Sequence, residues 1–197
     1  KFWLMKDLNG NRKSMFVTLG ASNHTDKVRE INDFYATDPI AIDKLVKAIH
    51  LPLSIWECAC GGGHLSDVLE NHGYKTLKTD IVQRRKDVQV LDFLDNNITK
   101  YNGDIITNPP YSLAQEFLEK AISIVEDGAK VALFLKIQFL EGKKRKEMFE
   151  KYPPKIVYVF SERQNPLRNG ESLDEKGNPW SSTMCFAWFV WQKGYKG

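Results

Sequence analysis

Asn108-Pro109-Pro110-Tyr111 follows a run of β-formers, "GDIIT", and leads directly into a helical pattern. Two adjacent prolines remove two backbone donors and fix two φ angles, which a simple turn does not require. What the segment keeps is acceptors: the Asn108 side-chain carbonyl and the Pro109 backbone carbonyl, pre-placed on a stiff loop. An exocyclic amine on an aromatic ring is a poor nucleophile, because its lone pair is delocalised into the ring. Two acceptors that grip both N–H bonds favour a pyramidal nitrogen and free the lone pair towards an electrophile. Tyr111 adds a ring face on which a planar base can stack. No strong general base is needed, since the nitrogen grows more acidic as its new bond forms. The alternative reading is a rigid turn, with Ser112 capping the next helix.

A second cluster, Glu57-Cys58-Ala59-Cys60-Gly61-Gly62-Gly63, stands where a short apolar strand hands over to a helix. Glycines there permit positive φ and let a ligand approach the backbone. In open α/β sheets, ligands bind beyond the carboxyl ends of the strands. Asp80 stands 23 residues after Glu57 and ends the next strand, which suits a grip on ribose hydroxyls. Asp92 ends a third strand, so three acids are expected to ring one crevice. A dinucleotide site wants G-x-G-x-x-G and a helix N-terminus facing pyrophosphate. This sequence lacks that spacing, and Glu57 repels phosphate. A ligand with a positive charge, an amino group and a ribose but no phosphate fits better, and S-adenosylmethionine (SAM) has those features. The alternative is a tight turn with no ligand.

These clusters need strands and helices to carry them. Asp38-Pro39 reads as an N-cap followed by proline at the first helical position. Ile42, Leu45, Val46 and Ile49 then share one helical face. Strands are expected at 53–57, 75–80, 88–93, 104–108, 130–137, 155–161 and 184–191, with helices at 64–71, around 118–125 and over "GKKRKEMFEKY" up to Pro153-Pro154. "KVALFLKI" is nearly continuous in apolar residues, as a strand buried on both faces should be. Alternating strands and helices imply an α/β sandwich around a mostly parallel, seven-stranded, Rossmann-like sheet. No helix separates the last two strands, so the final one is expected to pair antiparallel at or near that edge. Residues 1–33 read as a polar N-terminal arm and 34–197 as one domain interrupted by a long loop at 161–183.

The bulk numbers fit that reading. The chain has 197 residues, 42% hydrophobic and 27% charged, with a formal net charge of +3. This permits an anionic partner without requiring one. No apolar run reaches the ~18 residues that span a bilayer, and no signal peptide stands out. Cys58, Cys60 and Cys185 make an odd count without a disulfide framework, which points to a reducing, cytoplasmic setting. Cys58 and Cys60 have no second ligand pair at zinc spacing, so no metal is expected.

"ECACGGG" (57–63) resembles motif I of the class I SAM-dependent methyltransferases, acid-x-small-x-Gly-x-Gly. "NPPY" (108–111) resembles the catalytic motif of amino-methyltransferases, especially DNA adenine-N6 enzymes. "NDFYATDP" (32–39) is similar to the segment that such enzymes place near the methionine end of SAM. The motif order and the C-terminal "FAWFVWQKGYKG" resemble a group of small phage- and prophage-type adenine methyltransferases, over most of residues 15–197. The resemblance implies that Tyr35, Thr37 and Asp38 lie by the methionine moiety. It implies that Glu57 and the backbone of Ala59, Cys60 and Gly61 line the same end, and Gly63 of the same motif is expected among the cofactor-binding residues. Asp80 would take the ribose hydroxyls and Ile81 would pack on adenine. Asp92 would accept from the cofactor's adenine amino group, and the Phe93 backbone N–H would donate to its ring. Asn108, Pro109, Pro110 and Tyr111 would hold the target base. Motif I departs from the family by opening with Glu rather than the commoner Asp and by the two cysteines that flank Ala59, and no large target-recognition domain of the restriction-modification kind is read in these 197 residues.

The implied partner is nucleic acid, DNA first. An adenine inside a duplex is unreachable unless it is flipped out or already unpaired. Phosphate contacts are expected from Lys143, Lys144 and Arg145, from the "QRRK" run at 83–86, and from Arg163 and Arg168 in the long loop. Trp180 in that loop is expected to wedge or stack. The alternative for each charge run is an ordinary solvated face. Trp188 and Trp191 read as packing residues. Other planar NH₂ substrates stay open: RNA adenine, DNA cytosine-N4 and a protein glutamine. A non-catalytic SAM- or nucleic-acid-binding accessory protein stays open too.

Overall fold

Seven strands line up in the order β3-β2-β1-β4-β5-β7-β6. They are β1 (Ser54–Glu57), β2 (Lys75–Asp80), β3 (Gln89–Val90), β4 (Asp104–Thr107), β5 (Lys130–Lys136), β6 (Ile156–Val159) and β7 (Phe186–Gln192). The computed structural model describes residues 37–162, 177 and 184–197. The polar arm, Tyr35, Arg163, Arg168 and Trp180 fall outside the described residues, as does the side chain of Lys144. Strands β1 to β5 run parallel to one another, and β7 runs antiparallel to both β5 and β6. The final strand therefore lies one place in from the edge, and β6 is the edge strand.

The period-two alternation of the strands sorts side chains into two cores. Val131, Leu133 and Leu135 of β5 share one face with Ala187, Phe189 and Trp191 of β7. Helix α3 (Ala114–Ile124) covers that face through Phe117, Leu118, Ala121 and Ile122, and α4 (Lys146–Lys151) adds Met148. Ala132 and Phe134 point the other way, with Phe186, Trp188 and Val190. There α1 (Pro39–Ala48) contributes Ala41, Ile42 and Leu45, and α2 (His64–Asn71) contributes Leu65 and Leu69. Helices on both faces of a mainly parallel sheet make a three-layer α/β/α sandwich.

Local chemistry starts and pins these elements. The Asp38 carboxylate accepts from the Ile40 backbone N–H at 2.9 Å, and Pro39 occupies the first helical position of α1. Trp188 is buried and its indole N–H still finds the Ala41 carbonyl at 2.8 Å, tying β7 to α1. Trp191 does the same with the Tyr152 carbonyl at 3.0 Å. Both tryptophans are packing residues with a satisfied donor.

Three local expectations change. The strand expected at 88–93 reduces to Gln89–Val90. Val90 on this edge is 64% exposed, and the chain leaves the ladder beyond it to bury Phe93 against Trp56 and Phe117, with ring centroids 5.2 and 5.0 Å apart. The charged helix breaks into a 3₁₀ turn, Lys143–Arg145, before α4. Ser112 does not cap α3: it lies inside a 3₁₀ turn, Tyr111–Leu113, and no side chain caps the helix.

Candidate active site

The strand order reverses between β1 and β4. From β1 the chain steps outward to β2 and β3, and then returns to place β4 and β5 on the other side. Such a switch point opens a crevice at the carboxyl ends of the two central strands. Ile55 pairs with Asp104 and Trp56 with Ile105, so Glu57 and Thr107 leave the sheet on one rim. Adjacent strands lie about 4.8 Å apart. The glycine turn after β1 and the double-proline loop after β4 are therefore neighbours. Across the rim the order is Asp80 on β2, the Glu57–Gly63 turn on β1, Asn108–Tyr111 on β4 and Lys136 on β5.

The turn is built from the backbone outward. Its Cys60 N–H donates to the Thr79 carbonyl at 3.0 Å, and its Gly61 N–H donates to Asp80 Oδ2 at 2.8 Å. The Trp56 indole N–H donates to Thr79 Oγ1 at 2.9 Å inside the core, fixing β1 against β2. Gly61 and Gly63 have φ of +55° and +84°. Gly63 is also the residue before α2, and Arg85 packs over it. A Cβ at Gly63 would stand 2.1 Å from Arg85 Nη1. Arg85 is not loose: it pairs with Asp67 at 2.7 Å and forks onto both oxygens of Asp87 at 3.0 and 2.9 Å. Gly63→Ala should therefore destabilise the fold by about 1–3 kcal/mol, from left-handed strain plus the displaced guanidinium. A shift in the urea midpoint at unchanged m-value measures it.

Glu57 is 2% exposed, and its carboxylate accepts from the Ser66 hydroxyl of α2. Burial pushes its pKa up to about 8, against the opposing pull of donors from Ser66 and Cys60. Burial likewise raises the thiols of Cys58 and Cys60, which disfavours the thiolate at both positions. Asp80 is also buried, and its second oxygen accepts from the Val82 N–H at 2.9 Å and from Arg84 Nη1 at 3.2 Å. Beside it Ile81 is 54% exposed, an apolar surface next to a carboxylate. Asp92 lies past the end of β3, exposed, with Oδ1 accepting from the Leu94 N–H at 2.9 Å. It is the least confined of the three acids. Thr37 is buried just before α1, and Asp38 is engaged as its cap.

On the β4 side of the rim, Asn108 is half-buried and Pro109 buried. Pro110 has φ −54° and ψ 122°, and its carbonyl accepts from the Leu113 N–H at 2.9 Å, closing the 3₁₀ turn that carries Tyr111. The Tyr111 ring lies 6.0 Å from that of Phe186, and the Lys136 ammonium sits 4.7 Å from its centroid. That cation was not singled out from the sequence. Its signal was there: a lysine closing the apolar strand next to the one that carries NPPY.

The basic runs fare differently from one another. Arg84 and Arg85 of "QRRK" are tied to Asp80, Asp67 and Asp87 rather than standing out as loose phosphate ligands. Arg145 turns inward: Nε donates to the Phe139 carbonyl at 2.8 Å, and Nη2 donates to the carbonyls of Gln138, at 3.2 Å, and Glu141. It braces the 3₁₀ turn Ile137–Leu140 after β5. Lys143 is exposed. Among the described residues no three His, Cys, Asp or Glu converge as metal ligands. No helix among them is long and apolar enough to cross a membrane.

No family model matches the chain, and no curated protein matches it. Solved structures do. A Pyrococcus horikoshii protein described as an RNA methyltransferase superposes with TM-score 0.57 at 13% identity, over 92% of this chain and 98% of that one. A Listeria monocytogenes protein described as a class I SAM-dependent methyltransferase gives 0.55 at 14%, over 92% and 67%. A SAM-dependent O-methyltransferase of Thermotoga maritima gives 0.57 at 10%, over 83% and 69%. This chain has the class I methyltransferase fold. Identities this low carry the architecture and no more. Within the methyltransferase fold, the Gly61 turn, Asp80 and Ile81 stand on one side of the switch point and Asn108–Tyr111 on the other.

Proposed function

We propose that the chain is a SAM-dependent methyltransferase that modifies the exocyclic N6 amino group of adenine in DNA. The observation that carries this is the shared rim: the glycine turn of β1 and the Asn-Pro-Pro-Tyr loop of β4 leave adjacent parallel strands. The residues present fit SAM. Gly61, at φ +55°, carries no Cβ to hold a ligand off the backbone, Asp80 offers a carboxylate, and exposed Ile81 offers a face for a purine. Glu57 sits beneath the turn as an acid for an ammonium-bearing end. When bound, SAM supplies an electrophilic methyl group on a sulfonium.

The chain's own residues prepare the amine. The Asn108 and Pro109 carbonyls accept the two N–H bonds, and the Tyr111 ring holds the base plane. Pro109 and Pro110 cannot donate, so nothing on the loop competes for the acceptors. The same carbonyls disperse the positive charge that grows on nitrogen, and solvent takes the proton. Among the basic residues, Lys143 and Lys144 are proposed to meet the phosphate backbone together with Arg163 and Arg168 of the long loop, and Trp180 to wedge or stack against a base. A reducing, cytoplasmic location goes with this reading.

One observation favours a second reading, RNA adenine: the Pyrococcus horikoshii neighbour is described as an RNA methyltransferase and superposes over nearly the whole of both chains. One experiment separates these. The chain is incubated with methyl-labelled SAM and, separately, adenine-containing DNA, RNA and a glutamine peptide, and products are digested and weighed by mass spectrometry. N6-methyl-2′-deoxyadenosine is the expected product. Label confined to ribonucleoside or glutamine would move the substrate, and absence of label from all three would end the enzymatic reading.

A further inference from the structure

We propose that Lys136 is the residue by which the site distinguishes a nucleotide from a bare amide, through a phosphate next to the target base. The inference rests on, and deepens, the reading of the chain as an adenine methyltransferase. Lys136 is the last residue of β5, the direct neighbour of β4, and Asn108 directly follows β4. Its register partner across the sheet is Phe186, whose ring lies against Tyr111. From there the Lys136 ammonium sits 4.7 Å from the Tyr111 ring centroid, an arrangement held by the ring quadrupole.

A flat base stacked on that ring face takes the space that the ammonium holds. A substrate without phosphate, such as a glutamine amide, displaces a favourable cation–ring contact and offers no anion in return. A nucleotide brings two phosphates, each one sugar away from its base. The flexible four-carbon stem of lysine lets the ammonium swing from the ring to one of them without leaving the rim. Its neighbours on the rim do not supply this charge: Arg145 is turned onto three backbone carbonyls, and Arg84 and Arg85 pair with carboxylates beside the glycine turn. Lys136 is thus a specificity-determining contact that is made as the base seats.

The test uses fluorescence anisotropy with a single-stranded oligodeoxynucleotide carrying one adenine. Its twin has the two phosphates flanking that adenine replaced by neutral methylphosphonates. The wild-type chain should bind the twin about tenfold more weakly, as expected for one charge-assisted contact. Lys136→Gln should bind the native strand about tenfold more weakly than wild type and lose nothing further on the twin. Lys136→Arg, which keeps the charge, should restore the dependence on phosphate and shows that loss in the Gln variant is not misfolding. Equal sensitivity to methylphosphonate in wild type and Lys136→Gln, or none in wild type, would overturn the proposal. Methyl transfer to the native strand is measured alongside. Methylation without any role for Lys136 removes only this inference, whereas no methylation of adenine removes the underlying reading.

Discussion

Asn108→Ala should lower the rate of methyl transfer by about a thousandfold while leaving SAM affinity within about twofold of wild type. The first half follows from the chemistry of the amine. A conjugated NH₂ keeps its lone pair in the ring until both N–H bonds are held out of plane, and with Ala at 108 only the Pro109 carbonyl remains. Removing one pre-placed electrostatic partner from an active site typically costs a hundred- to a thousandfold in turnover. Because this contact strengthens as charge develops on nitrogen, the loss falls on kcat rather than KM. The second half follows from topology. Asn108 leaves β4, whereas the proposed cofactor contacts at Gly61, Asp80 and Ile81 leave β1 and β2. Asn108 is half-buried and belongs to neither apolar core, so the fold should survive its truncation. Asn108→Asp keeps an acceptor at the position and should retain more activity than Ala. Titration calorimetry with SAM and single-turnover transfer to adenine DNA measure the two halves separately. An alanine variant that transfers methyl at the wild-type rate would remove Asn108 from the reaction and the amine-gripping loop with it.

The elements that carry this site were legible because their patterns are local. Asp38-Pro39 is a capping signal that needs no tertiary context, and it caps α1. The apolar run in β5 and the uninterrupted final strand sort into the two cores that their alternation implies. The failures among the basic residues share one cause. Where a charged side chain ends is decided by what folds against it, and spacing along the chain does not encode that. Arg145 sits in a run that reads as a phosphate patch, yet Gly142, at φ +118°, turns the chain so that its guanidinium meets the carbonyls of residues 138, 139 and 141. Arg85 reads the same way and instead closes over Gly63 between two aspartates. The strand expected through Phe93 fails because burying an aromatic ring outweighs extending an exposed edge ladder. At about 25 cal/mol per Å² and roughly 200 Å² of ring surface, that burial is worth several kcal/mol. The shared rim was legible in a different way. Two unusual bends at two strand ends imply a common crevice only if the strands are neighbours, and the β1–β4 register makes them so.

The stability of the free chain should fall as pH rises between about 4.5 and about 8, and Glu57→Gln should remove most of that slope. Glu57 is surrounded by protein: β1 beneath it, Cys60 of the turn beside it, and Ser66 and Asp67 on α2, with Asp67 repelling its charge. Burial dominates, so the folded chain holds the Glu57 proton up to about 8, against 4.5 in the open chain. Between those values the folded state binds more protons than the unfolded state, and unfolding free energy declines with increasing pH. Below the lower value both states are protonated, above the upper value both are ionised, and this group contributes no slope in either range. The shift converts to a penalty on the order of 3–5 kcal/mol at the alkaline end, large against typical domain stability. Glutamine keeps an acceptor for the Ser66 hydroxyl and carries no charge to desolvate. The variant should therefore match wild type near pH ~5 and exceed it near pH ~8.5. Urea unfolding across that range reads the difference, and parallel curves for the two proteins would show that Glu57 ionises freely. The same logic reaches the cofactor. An ammonium placed at this end of the crevice stabilises the ionised carboxylate, so saturating SAM should flatten the wild-type slope and leave that of Glu57→Gln unchanged. If SAM left the wild-type slope intact, its amino group would have to lie elsewhere, and Glu57 would be a structural acid alone.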